Sequence, residues 1–260
     1  MDEEQKYLFD LFGFIVVENV LTQQQVFKLR STLRGGTEQF PPVPQSEGPL
    51  HWDVIWRDLL DLPVISKLLE GLIGNPNLLK ARKEKDENPL PTFRLDHINV
   101  HTHVSKGFEG GRLHGGWNGT AGFYKYDNGL LHNGLTTVSF ELYDTHPNNG
   151  GFGCVPGSHK ANVKLPEKWR DLSIGVNDCI KRVAAKPGDA IVFTEALTHG
   201  TLPWKVDEKR TTVFYKFSPH SLTWSADFFD SKEFLRYPDM DKRKLALLEK
   251  PNARYPKRPR

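Results

Sequence analysis

Cysteine is nearly missing: Cys154 and Cys179 are the two thiols in 260 residues. So few, so far apart, exclude a disulfide scaffold, fit a reducing compartment and are expected as small buried residues. No apolar run approaches the ~18 residues that a membrane-spanning helix needs. The net charge of +3 is too small to point to nucleic acid or a membrane surface as partner. The basic end of the chain, five Lys or Arg and no acid in residues 250–260, reads as a solvated tail. Met1-Asp2-Glu3-Glu4-Gln5 is acidic and has no apolar segment behind it, so a secretory leader is not expected and the cytoplasm is. Internal repeats and low-complexity segments are also lacking. A small-molecule substrate is the partner class left, and nothing indicates an oligomeric state.

What is present is enough for a core: 38% apolar residues, with 16 Phe, 7 Tyr and 6 Trp. The length suits one domain over residues 1–260. Its expected parts are a helical cover (1–92), a β core (93–217) and a C-terminal extension (218–260). The cover should open with a helix over 3–12, since Tyr7, Leu8, Leu11 and Phe12 have helix spacing. Gly13 ends it, and Phe14-Ile15-Val16-Val17 reads as a buried strand. Thr22 is a candidate N-cap for a second helix, with Val26, Leu29 and Leu33 inward. Prolines make 41–49 a loop, and Pro63 opens a helix through Leu72. Residues 82–92 read as an exposed connection. Short strands are then expected at 93–104, 135–143, 152–156, 180–185, 190–194 and 211–217. In 135–143 one face holds Thr136, Val138, Phe140 and Leu142, while Thr137, Ser139, Glu141 and Tyr143 form a polar face fit for a wet cavity. Helices followed by many short strands indicate a mainly β sandwich or barrel.

The chemistry-bearing residues are far apart. Arg112-Leu113-His114-Gly115-Gly116-Trp117 holds one histidine, and His199 follows 85 residues later in Thr198-His199-Gly200-Thr201. Pro187-Gly188-Asp189 is a tight turn launching the strand expected to carry His199 near its end. Arg210 lies 11 residues further on, at the start of the next expected strand. Two imidazoles suit a first-row metal, and a guanidinium fork suits a carboxylate, to which Thr201 could add a hydroxyl.

These residues, with three other segments, resemble the phytanoyl-CoA dioxygenase family of iron(II)/2-oxoglutarate oxygenases. Phe12-Gly13-Phe14-Ile15-Val16-Val17 with Leu21 resembles its opening, and Asn148 to Lys160, ending Pro156-Gly157-Ser158-His159-Lys160, resembles its signature. Gly188-Asp189, Phe193, His199-Gly200-Thr201 and Arg210 match its distal segment in order and spacing. The resemblance runs from about residue 9 to 217. It implies a double-stranded β-helix (jelly roll) with the N-terminal helices on its major sheet. It also implies Fe(II) at His114 and His199, 2-oxoglutarate held by Arg210 with Thr201, and O2 as co-substrate. The activity implied is oxidation of an unactivated C–H bond. His159, within the signature, is expected to be structural.

One departure stands out. The family pattern has a carboxylate two residues after the first histidine, where this chain has Gly116. Glycine makes room for chloride, and the chain here resembles iron-dependent halogenases, which carry Gly or Ala at that place. A carboxylate from elsewhere, Glu141 or Glu195, or water could instead complete an oxygenase, with Asp127, Asp144 and Asp189 weaker candidates. A third outcome is weak metal binding, leaving a pseudoenzyme that holds a small acid. A competing metal pattern, His101-Thr102-His103 with Glu109, resembles the cupin arrangement, although His97, Asn99, His101 and His103 also read as one polar face of a cavity strand. Glycines around His114, followed by Trp117, Asn118 and Tyr124, read as a lid or a glycine-rich turn.

Overall fold

The computed structural model describes residues 1–33, 48–103, 110–115 and 121–252. Two antiparallel sheets form its centre. The larger contains β1 (Phe14–Val17), β2 (Phe93–His103), β5 (Thr136–Glu141), β8 (Ala190–Thr194) and β10 (Arg210–Pro219), in the order β1-β8-β5-β10-β2. The smaller contains β6 (Gly151–Cys154), β7 (Lys181–Arg182) and β9 (His199–Leu202), in the order β7-β6-β9. β3 (Tyr124–Asp127) and β4 (Leu130–Asn133) make a separate hairpin.

The alternation read from residues 135–143 decides how the larger sheet is used. Val138 and Phe140 face a core shared with Leu95, Ile98, Val192, Val213, Tyr215 and Phe217. The same core includes Phe9 of α1 (Glu3–Phe12), Val26 and Leu29 of α2 (Gln23–Ser31), Trp56 of α3 (Val54–Asp58) and Leu68, Leu69 and Leu72 of α4 (Pro63–Leu72). Tyr215, fully buried, donates its hydroxyl to the Trp56 carbonyl at 2.6 Å, which gives the phenol a partner where water cannot reach. On β5 the opposite face carries Thr137, Ser139 and Glu141, while β1 and β8 turn Phe14, Ile191 and Phe193 into a second apolar cluster.

The helix starts follow the capping rules. Asp2 and Thr22 each accept the N–H three residues on, and Gln5 and Gln25 return the bond, completing two capping boxes. Gly13 closes α1 with φ +78°, a conformation only glycine takes cheaply. Pro63 sits at the first turn of α4, where its missing N–H costs nothing.

Two expectations need correction, and one helix was not expected. Residues 76–83 form α5 (Pro76–Lys83), capped by Asn75, where the sequence offered no apolar periodicity because the helix buries no residue. The connection after it is not wholly exposed, since Pro89, Pro91 and Thr92 are buried. His199 does not end the strand launched by Pro187-Gly188-Asp189. β8 stops at Thr194, where Leu197 N–H bonds the Thr194 carbonyl, and His199 opens β9 in the other sheet. Residues 34–47, including most of the proline-rich segment, and the residues from 253 onward lie outside the described residues. Two short helices complete the chain, α6 (Glu167–Arg170) and α7 (Lys242–Leu247). Among the described residues no helix is long and apolar enough to cross a membrane.

Candidate metal and co-substrate site

His114 and His199 meet where the two sheets face each other. Their backbones form a reciprocal bridge, each N–H bonding the other's carbonyl at 2.9 Å, and their rings stand 4.2 Å apart. Gly115 permits this approach. Its φ is +81°, and a Cβ there would lie 2.2 Å from the Leu197 carbonyl oxygen and 2.9 Å from that of Glu195. Arg170 holds the same segment from behind, donating to the carbonyls of Leu113 and Gly115 at 3.3 Å. Its own carbonyl accepts Leu113 N–H.

The turn between β8 and β9 brings a carboxylate to the pair. Ligand-capable atoms of His114, Glu195 and His199 all lie within 4.8 Å of one another. This is the only such grouping of three among the described residues. His199 is buried, Glu195 half-buried and His114 exposed, so the group opens to solvent on the His114 side. His199 donates through Nδ1 to the Leu197 carbonyl at 2.7 Å, which leaves the Nε2 lone pair facing the group. Phe152 and Phe193 pack on its ring. Burial first, then the neighbouring imidazole of His114, push the His199 pKa down to about 3. The protein packed around His114 lowers its pKa as well, although the ring keeps a solvent-facing side. Both rings are therefore neutral near pH 7, as metal ligation requires.

Burial opposes the charge on Glu195. Lys216, the His199 ring and Thr137 outweigh it and hold the carboxyl below its ordinary range. Lys216 Nζ is 2.8 Å from Glu195 Oε1, and the Thr137 hydroxyl donates to the same oxygen. Oε2 lies 3.7 Å from His199 Nε2. Lys216 was not singled out from sequence. The signal that finds it is period two along β10, since Arg210, Thr212, Phe214 and Lys216 share the polar face.

Arg210 also reaches this face, but it starts β10 of the larger sheet and does not neighbour β9. Its Nη2 bonds both oxygens of Glu141, at 3.2 and 3.4 Å, and Glu141 is fully buried. Thr212 and Ser139 donate to the same carboxylate at 3.1 and 2.8 Å. Arg210 Nε is buried and has no hydrogen-bond partner. Gly151, at φ +94°, lies beside that nitrogen: a Cβ there would stand 3.7 Å from it. Thr201 lies two residues beyond His199 on the same face of β9 and is half-buried.

The remaining candidates separate cleanly. Asp189 accepts Asn19 N–H and Lys186 N–H and serves the turn before β8. Asp127 pairs with Lys125 on the hairpin, and Asp144 is exposed. His159 is structural: Nε2 bonds the Asp10 carbonyl at 3.0 Å, and Tyr124, which also bonds Asp10, packs on its ring. Tyr124 thus anchors α1 and does not cover the site. The signature around it ties α1 to the site turn, because Ser158 Oγ accepts Thr198 N–H at 2.8 Å. His97 bonds Asp96 at 2.7 Å and stacks on Trp224, and His101 packs on Phe214. Cys154 is buried, with its thiol pushed up to about 12 by burial, whereas Cys179 is exposed, against the expectation. Gly116, Trp117, Asn118 and Glu109 lie outside the described residues, as does the side chain of His103.

Two imidazoles and a carboxylate inside a β fold form the donor set of the mononuclear non-heme iron proteins. Residues 9–212 match the family model of phytanoyl-CoA dioxygenase (PhyH), and the chain belongs to that family of iron(II)- and 2-oxoglutarate-dependent oxygenases. No curated protein matches it in sequence. Among solved structures it resembles HygX from Streptomyces hygroscopicus with iron bound, at 22% identity and a TM-score of 0.70. That likeness covers 86% of this chain and 90% of the other. HygX with nickel, 2-oxoglutarate and hygromycin B bound gives a TM-score of 0.69 at the same identity and coverage. The non-heme alpha ketoglutarate dependent carbocyclase SnoK from nogalamycin biosynthesis gives 0.56 at 16% identity, covering 85% of each chain. At these identities the likeness is one of fold.

Proposed function

We propose that the protein is an iron(II)- and 2-oxoglutarate-dependent enzyme that oxidises an unactivated C–H bond of a small organic substrate, by hydroxylation or halogenation. The observation that carries this is the convergence of His114, His199 and a carboxylate within 4.8 Å. It occurs on the same polar face as an arginine whose Nε lacks a partner. In this reading residues 1–260 are one domain, the two antiparallel sheets are the halves of a double-stranded β-helix, and the helices of 1–92 cover the larger half.

The residues fit the two groups. His114 and His199 are neutral imidazoles, and the Nδ1 bond to Leu197 orients the second of them with Nε2 inward. Arg210 has one edge on Glu141 and an unpartnered Nε for the far carboxylate of 2-oxoglutarate. Thr201 adds a hydroxyl. When bound, iron and 2-oxoglutarate reduce O2, release succinate and CO2, and supply an oxidant strong enough for such a bond. The protein's share is positioning. Gly115 and Arg170 fix the first histidine, the two phenylalanines fix the second, and the polar face formed by Asn99 and His101 on β2 is open to a substrate.

HygX binds a metal, 2-oxoglutarate and hygromycin B. That a protein of this fold takes a polar small molecule supports this reading. The test is anaerobic titration with Fe(II) and 2-oxoglutarate. A visible metal-to-ligand charge-transfer band and O2-dependent succinate release are expected. Folded protein that gives neither overturns the enzyme reading and leaves a barrel that binds a small acid.

A further inference from the structure

We propose that Glu195 is the carboxylate ligand of this metal site, donating through Oε2, and that it takes over the role left without a side chain at Gly116. The inference rests on the metal site proposed above and assigns its third protein donor.

The argument starts from elimination by geometry. Of the two glutamates on the polar face, Glu141 has all its nearby donors committed. Arg210, Thr212 and Ser139 bond its two oxygens, and it belongs to the co-substrate end. Asp127, Asp144 and Asp189 lie elsewhere. Glu195 alone among these groups with both histidines.

Its two oxygens are also in different circumstances. Oε1 is engaged by Lys216 and Thr137. Among the described residues Oε2 has no hydrogen-bond donor, and it faces His199 Nε2 across 3.7 Å, beyond hydrogen-bonding reach. Donor atoms about 2.1 Å from one ion stand about 3.0 Å apart at a right angle and about 3.4 Å at the tetrahedral angle. The gap is therefore a few tenths of an ångström wider than a shared ion requires. Lys216 and Thr137 fix the carboxylate as a monodentate donor, as second contacts do at metal sites.

Position in the chain makes the substitution possible. Glu195 lies in the turn between β8 and β9, four residues before His199, and the Leu197 and Glu195 carbonyls touch Gly115. One turn thus carries a carboxylate and an imidazole and abuts the segment that carries the other imidazole. With Glu195 bound, two imidazoles and one carboxylate come from the protein, and chloride is not needed to balance the ion's charge. The outcome this assigns is hydroxylation.

The test uses Co(II) in place of iron, with no co-substrate. Wild type, Glu195→Gln, Glu195→Ala, His199→Ala and the exposed control Asp144→Asn are titrated by calorimetry and by d–d absorption, after circular dichroism shows that each is folded. Loss of a direct ligand should weaken Co(II) by more than the roughly 10–100-fold seen for an outer contact, and change the shape of the d–d bands. Chloride should leave the wild-type spectrum unchanged and alter that of Glu195→Ala, where a coordination position opens. Three results overturn the assignment: wild-type affinity in both Glu195 variants, weakening confined to the outer-contact range with unaltered bands, or a wild-type spectrum as chloride-sensitive as that of Glu195→Ala. Should wild type and His199→Ala both fail to bind Co(II), the metal site itself is wrong. Should wild type bind and only the Glu195 variants match it, this inference fails alone.

Discussion

Replacing Arg210 by methionine should do two separable kinds of damage. Glu141 is fully buried and would lose its only cationic partner among the described residues, keeping Ser139 and Thr212. Breaking one side of a buried ion pair costs about 3–5 kcal/mol, because the remaining group stays desolvated without its partner. At about 2–4 °C per kcal/mol for a chain near this size, Tm should fall by roughly 10 °C. Adding Glu141→Gln removes the stranded acid and keeps an amide able to bond both hydroxyls. The double variant Arg210→Met/Glu141→Gln should recover on the order of 1–3 kcal/mol, the coupling of a contacting pair. 2-Oxoglutarate affinity should not recover. A charge-paired carboxylate contact is worth about 2 kcal/mol or more, so both variants should bind it at least about 30-fold more weakly. Thermal unfolding and calorimetric titration with Mn(II) and 2-oxoglutarate read the two effects. Equal destabilisation of single and double variants would refute the pair as described. Unchanged affinity in either would refute Arg210 as the anchor.

Two further predictions follow from the site and the sheet. Gly115→Ala puts a methyl against the Leu197 and Glu195 carbonyls at positive φ; strain of about 1–3 kcal/mol is expected, with weakened Co(II) binding, and wild-type affinity by calorimetry would contradict the close approach. Asp96→Asn removes a buried acceptor that serves Arg94, His97 and the N–H groups of Trp224 and Ser225. Burial opposes its ionisation, but the His97 and backbone bonds hold its pKa below the usual value. The stability it contributes is therefore present above the unfolded carboxyl pKa of about 3.9 and is lost as pH falls through the lower folded value. Urea unfolding should show wild type well above Asp96→Asn at pH 7 and the two converging below about pH 4, and a gap that stays constant would be inconsistent with that linkage.

Several parts of this arrangement were readable from residues alone, for identifiable reasons. His114, His199 and Arg210 were singled out because spacing and neighbouring motifs are visible without coordinates. The polar face of β5 was found because side chains alternate strictly along a strand. Choosing between Glu141 and Glu195 was not possible at that level. Both lie near the same expected cavity, and the choice depends on register. Thr212 opposite Glu141 brings that acid beside Arg210, and Lys216 opposite Thr137 places an ammonium beside Glu195. Register across distant strands leaves no mark in one sequence. The strand at 190–194 was read with its observed ends, but the turn that carries His199 into the other sheet was missed, because no glycine or proline marks it. The hairpin of β3 and β4 was overlooked despite a local signal. Asn128-Gly129, at φ 48° and 78°, is the turn such hairpins favour.

The order β1-β8-β5-β10-β2 puts no strand beside its neighbour in the chain. Phe14 finds its partner in Phe193, and Leu21 bonds Gly188, so an apolar strand waits during translation for a far later segment that shelters it. Assembly by such distant pairings is slow, and the waiting strand is sticky. Expression yield should therefore depend more on growth temperature and chaperone supply than the finished molecule's stability would indicate.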